Sequence, residues 1–178
     1  MTLTRSMLAG CALLLLLATA WAERRRDPLT RLEVDQLRDT AQEPDLRLKL
    51  YIKFARARLA FLEEARSDPK VTDRGRETHD RLQDFLDVYD EMNDNIDMYE
   101  GRKEDFRKSL KEIIEADTEF QAKLLALRDS ASARKDEVKQ YEFLLTNALE
   151  TLDASVADHR QLLDEQEQAA KRKKPKKP

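Results

Sequence analysis

The sequence predicts an all-α protein of long antiparallel helices, and two observations carry that expectation. Apolar residues from Leu82 onward alternate three and four apart for more than six heptads. Charged residues make up 39% of the chain against three glycines and 6% aromatics, which suits solvent-exposed helices better than a thick globular core. The expected architecture is a long-helix coiled coil or helical bundle, with three long helices, or four if the chain breaks at Gly101, and a disordered basic C-terminal tail.

At the N-terminus, Arg5 precedes an uncharged run of 16 residues from Met7 to Ala22, with five leucines at Leu13–Leu17 and the ending Ala20-Trp21-Ala22. This is the pattern of a secretory signal peptide over residues 1–22 with an A-x-A cleavage site. The run falls short of the roughly 18–20 residues of a spanning helix, which favours cleavage. Arg24, Arg25 and Arg26 favour the alternative, an uncleaved apolar anchor, because positive flanks stay cytoplasmic. Cys11 sits in a lipoprotein-like Leu8-Ala9-Gly10-Cys11, but the apolar run continues past it to Ala22. Cleavage removes Cys11, the one cysteine of the chain, and leaves 156 residues, one domain's worth.

Residues 23–43 form a polar arm with at most a short helix, on which Leu32, Leu37 and Ala41 recur. Residues 44–168 form the helical domain. Pro44 suits a first helical turn, and Pro69 stops the helix. On it Leu46, Leu50, Tyr51, Phe54, Ala57, Phe61, Leu62 and Ala65 form one broad face. Leu48, Ile52 and Leu59 widen that face beyond a two-helix seam and are the expected partner surface.

The next seam reads Leu82, Tyr89, Ile96, Lys103, Leu110, Asp117, Leu124 on one line and Phe85, Met92, Tyr99, Phe106, Ile113, Phe120, Leu127 on the other. It passes Gly101 without a skip, which favours a continuous helix from Arg74 to Arg128, about 80 Å long. After a turn capped by Ser132, a last helix carries Val138, Tyr141, Leu145, Ala148, Leu152, Ser155, His159 and Leu162. Antiparallel return about that turn puts Leu124 opposite Val138, Leu110 opposite Leu152 and Lys103 near His159. The same arithmetic about Pro69 puts Tyr89 near Tyr51.

The polar seam residues Lys103, Asp117 and His159 are expected to set register. Di-metal bundles need a glutamate three residues before a histidine, whereas Val156 precedes His159 and Arg76 precedes His79. Asp87, Asp90, Glu91, Asp94, Asp97 and Glu100 make an acidic stripe, read as a solvated face. Ser132-Ala133-Arg134-Lys135 matches S-x-x-K without its companion motifs, and capping is the expected use of Ser132. No catalytic residue, metal site, cofactor or small-molecule substrate is expected.

Charge is segregated along the chain. Removal of Arg5 takes the formal charge from −3 to −4, and the six basic residues Lys171, Arg172, Lys173, Lys174, Lys176 and Lys177 then leave −10 for Glu23–Ala170. The tail over residues 169–178 has the composition of a disordered polyanion-binding segment. At about 1 kcal/mol per basic residue its upper bound is roughly 6 kcal/mol, a weak and salt-sensitive dissociation constant of tens of micromolar. Without interleaved aromatics it is no expected ligand of nucleic acid.

The combination of signal peptide, antiparallel helices and segregated charge resembles helical periplasmic chaperones and adaptors in architecture alone. The expected function is therefore non-enzymatic: an exported, periplasmic or secreted interaction or scaffold protein that binds a protein partner or itself. The alternative is an envelope tether that holds anionic lipid or cell-wall polymer through its basic tail.

Overall fold

The computed structural model describes residues 27–131 and 135–173, which are helical apart from short connections, with no strand among them. The expected signal peptide, Ser132 with its neighbours Ala133 and Arg134, and Lys174, Lys176 and Lys177 lie outside the described residues.

Helix α1 (Arg31–Asp39) starts at a capping box: Thr30 Oγ1 accepts from the Glu33 amide, and Glu33 Oε2 accepts from the Thr30 amide. Leu29 and Leu37 are buried beside it. Leu32, expected on its apolar face, is 68% exposed. Helix α2 (Pro44–Ser67) has proline in its first turn and ends before Pro69.

Helix α3 (Arg74–Gly101) is capped by Asp73, whose side chain accepts from the Arg76 amide. It is not continuous with helix α4 (Arg107–Ala131), which corrects the expected single helix from Arg74 to Arg128. The break is a Schellman cap: the Lys103 amide donates to the Glu100 carbonyl (2.8 Å) and the Glu104 amide to the Tyr99 carbonyl (3.1 Å). Lys103, not Gly101, takes the left-handed conformation, at φ 59°. A short helix α5 (Lys135–Val138) leads into α6 (Glu142–Lys173). Helix α6 runs through Lys171–Lys173, past residue 168 where the helical domain was expected to end. Ala169 and Ala170 are good helix formers, and basic side chains at a helix C-terminus meet its negative dipole end.

Helix α2 packs on α3 and on α4, and α6 packs on α4 and on α3. Cross-links give the directions. Helices α2 and α3 are antiparallel, joined by Arg47 to Asn95 (2.7 Å), Tyr51 to Glu91 (3.3 Å) and Arg66 to Thr78 (3.1 Å). Helices α2 and α4 are parallel, joined by Ser109 to Asp45, Lys49 to Glu112, Arg56 to Glu119 and Lys123 to Glu63. Helices α4 and α6 are antiparallel through Lys111 and Glu167, Asp117 and His159, and Gln121 and Asp153. Consecutive α3 and α4 thus face each other across the core through aromatic rings: Phe85 and Tyr89 meet Phe120 edge-on, at centroid distances of 5.4 and 6.3 Å.

Both expected seam lines are buried except at Lys103, which is exposed in the turn. The face of α2 is a correction. Leu48, Ile52 and Leu59 are buried at the centre of its contacts, while Leu46 and Phe61 are each 46% exposed. The wide apolar face asked for a second neighbour, and α4 supplies it within the same chain.

Candidate functional site

Three side chains from three helices meet in the buried interior. Tyr89 on α3 donates to Asp117 Oδ1 on α4 at 2.8 Å, and His159 Nδ1 on α6 lies 2.8 Å from Asp117 Oδ2. Tyr89 and Asp117 are 0% exposed and His159 4%. Burial, and after it the Asp117 carboxylate, push the Tyr89 hydroxyl far above the usual phenol range. Tyr89 therefore remains a proton donor, and both Asp117 oxygens are occupied. Removing Tyr89 or His159 leaves one buried Asp117 oxygen without its hydrogen bond, at roughly 1–3 kcal/mol.

The expected register set is thus two-thirds assembled. Asp117 and His159 meet, whereas Lys103 leaves the seam because the Schellman cap turns it into solvent. The expected α4–α6 pairing is also shifted. Lys103 was placed near His159, but Asp117 stands there, two heptads further along α4. The turn was centred on Ala131, and the connection also contains α5 and the residues to Tyr141, which displaces the return by about four turns of helix. The pairing about Pro69 falls within a turn of its expected place, since Tyr51 meets Glu91 rather than Tyr89.

His159 also lines a pocket of about 340 Å³ between α3 and α6. The Nδ1 edge of its ring faces Asp117. Asp97 and Glu100 on α3 and Asp158 and Glu165 on α6 surround the opening. None of the four is ion-paired with a basic side chain among the described residues, and no lysine or arginine lines the pocket. Asn93 Nδ2 donates to Ser155 at 3.2 Å across the same gap, and Asn93 Oδ1 is buried without a partner. Among the described residues, no three His, Cys, Asp or Glu side chains are grouped to hold a metal ion.

A second depression, about 570 Å³, lies between α2 and α4. Leu59, Leu62, Leu124 and Leu127 form its floor, and the exposed Ala122 and Ala126 form one wall. Glu63, Arg66, Glu119 and Lys123 stand around it. Of the residues expected as a partner surface, Leu48 and Ile52 are core, and Leu59 contributes only to this floor. Lys171 and Arg172, expected to bind polyanions, are exposed on the last turn of α6.

Three residues that the sequence did not single out fix the rest of the frame. Arg58 is 4% exposed on α2 and donates to both Glu33 carboxylate oxygens (3.1 and 2.5 Å) and to the Pro28 carbonyl (3.0 and 2.6 Å). The arm is therefore pinned rather than weakly held. The signal was its place between Ala55, Leu59 and Leu62 on an apolar face. Arg66 donates to Thr78, Glu137 and Tyr141, joining the ends of α2, α3, α5 and α6. Gly75 brings the first turn of α3 against Gln140 and the Glu137 carbonyl, where an added Cβ would sit 2.7–2.9 Å from them.

The chain matches no family model, no curated protein and no solved structure. Among the described residues, no helix is long and apolar enough to cross a membrane.

Proposed function

We propose that the chain is a non-enzymatic interaction protein of the cell envelope, an adaptor or scaffold. In this reading α2, α3, α4 and α6 form a four-helix bundle, and the groove between α2 and α4 is its docking surface. The groove carries the reading. Its leucine floor, small-residue wall and rim of both charge signs fit the apolar face of an amphipathic helix, whose anchors enter at positions i, i+3, i+4 and i+7. The rim charges are already paired within the chain, Lys123 with Glu63, Glu119 with Arg56 and Arg66 with Glu137, so the apolar floor supplies the contact. The envelope assignment is supported by the apolar run from Met7 to Ala22 with its A-x-A ending.

The test is affinity capture from a cross-linked envelope fraction, with the wild-type chain beside Ala122→Glu and Ala126→Glu. Both positions are exposed, so a carboxylate there leaves the core intact and places charge in the groove. A partner retained at moderate salt by the wild type and lost from both variants is the expected result. Capture that survives both variants, yet disappears with residues 171–178 and with added salt, would transfer function to the basic tail and make the chain a tether.

A further inference from the structure

Beside its groove with α4, helix α2 carries a second face, and a helix already occupies it. Helix α1 lies antiparallel along this face, held by two arginines. Arg58 donates to both Glu33 carboxylate oxygens and to the Pro28 carbonyl, and Arg47 donates to the Leu37 carbonyl. The two guanidinium groups sit eleven residues apart, about 16 Å along α2. Tyr51 and Phe54 lie between them on the same line of the helix, each 2% exposed. Side-chain identity enters at three arm positions: the buried Leu29 and Leu37, and Glu33 midway between them. The other arginine contacts are to main-chain carbonyls, and positive charge is favoured at the carbonyl end of a helix whatever its sequence.

The site outreaches its occupant. Helix α1 has nine residues, fewer than the roughly 12–15 that sustain an isolated helix, so its order depends on α2. On α2, Leu46 beyond one arginine and Phe61 beyond the other are each 46% exposed, which leaves apolar surface past both ends of the clamp. We propose that this face of α2 is a docking site for an acidic amphipathic helix of a partner protein, and that the arm is an internal competitor that holds the site closed. The partner helix carries a carboxylate with an apolar anchor four residues to either side, the spacing of Leu29, Glu33 and Leu37. Its carboxylate pairs with Arg58, which is 4% exposed and would be left without an anion if the arm simply departed. A helix of about 15 residues reaches from Leu46 to Phe61, about 22 Å, and covers what the arm leaves open. The added apolar burial offsets the advantage that its tether gives the arm. This site does not depend on the groove between α2 and α4, so either can fail without the other.

The test uses the full chain and, as probe, a fluorescently labelled synthetic peptide of residues 27–41, followed by anisotropy. Two variants release the arm by different routes: Leu37→Asp removes a buried anchor, and Glu33→Lys reverses the charge that Arg58 holds. Both lie in the arm, and circular dichroism checks that the long helices remain. The expected result is saturable one-to-one binding of the peptide to both variants, at least ten-fold tighter than to the wild-type chain, whose own arm fills the site. A chain with Arg58→Glu is expected to reject this peptide and to bind one carrying Glu33→Arg, a reversal that a purely structural contact does not produce. Equal affinity for wild type and released variants would show that the arm does not compete, and absence of binding to the folded variants would confine the site to the arm of the same chain. Either result overturns the proposal, as does an Arg58→Glu chain that fails to prefer the Glu33→Arg peptide.

Discussion

The two ends of α3 reverse the chain by different physical means, and each glycine of the helix sits at one of them. At the first end, Gly75 lies against α5 so closely that even a methyl group would contact the Glu137 carbonyl and the Gln140 side chain. At the other, Gly101 has nothing within 4 Å of where its Cβ would be, and its own backbone is helical. The left-handed residue that ends α3 is Lys103. One glycine is required by a neighbour, and the other is required by nothing in the fold. A glycine therefore marks a helix end only when a contact or a positive φ demands it, and a sequence shows neither directly.

The largest expected effect comes from Gly75→Ala. The Cβ meets backbone as well as a flexible side chain, so α3 and α5 must separate by some tenths of an ångström. That motion also disturbs Arg66, whose guanidinium holds Thr78 and Glu137 together. A loss of about 1–3 kcal/mol is expected, as for other overpacked sites. Urea unfolding monitored by circular dichroism would read it as a lower midpoint at unchanged slope. An unchanged midpoint would show that the α3–α5 contact gives way freely, which removes the contrast between the two ends.

The opposite end is expected to respond with the opposite sign. Gly101→Ala removes backbone entropy from the unfolded chain and adds a good helix former in open space, a gain of up to about 1 kcal/mol. Lys103→Gly relieves the left-handed conformation of a residue with a Cβ and is expected to gain about 0.5–1 kcal/mol. The same unfolding measurement tests both. Destabilisation by Gly101→Ala would mean that the break between α3 and α4 depends on Gly101 after all.

Much of the helical body was legible because burial at helical spacing is a local property of the sequence. Leu82, Phe85, Tyr89, Met92 and Ile96 alternate on one face of α3, and Leu110, Ile113, Phe120 and Leu124 do so on α4. The break between the two was not legible from that pattern. The turn from Arg102 to Phe106 has a length that keeps Tyr99 and Phe106 seven residues apart, so the heptad phase reads through a reversal of the chain. The polar interior was legible as a set and not as pairs: Asp117 and His159 stood out on apolar seams, but their meeting depends on the length contributed by α5. Whereas Asp97 and Glu100 were legible as part of the acidic stripe, Arg58, Asp158 and Glu165 were hidden for the same reason. Their partners, or lack of partners, come from residues distant in sequence.

The arm provides a control for the comparison, because its attachment contains an identified titrating group. Burial alone would raise the Glu33 carboxyl, but hydrogen bonds from Arg58 and from Thr30 outweigh it and hold Glu33 below its ordinary 4.5. A carboxylate depressed in the folded state contributes stability that is fully present above its unfolded pKa and is lost as pH falls through its folded one. Docking of α1 is therefore expected to be complete above pH 4.5 and to loosen below it as Glu33 protonates and releases Arg58. The effect is local, on the order of 1 kcal/mol, since α1 packs on α2 at the edge of the molecule. Hydrogen exchange of the amides of residues 34–39, corrected for intrinsic rates and compared at pH 6 and pH 3, would read it as faster exchange in α1 than in the middle of α3. Glu33→Gln should show the loosened exchange already at pH 6 and little further change on acidification. Equal acid sensitivity of α1 in the variant and the wild type would assign the pH response to other carboxylates and leave Arg58 to hold the arm through the Pro28 carbonyl alone.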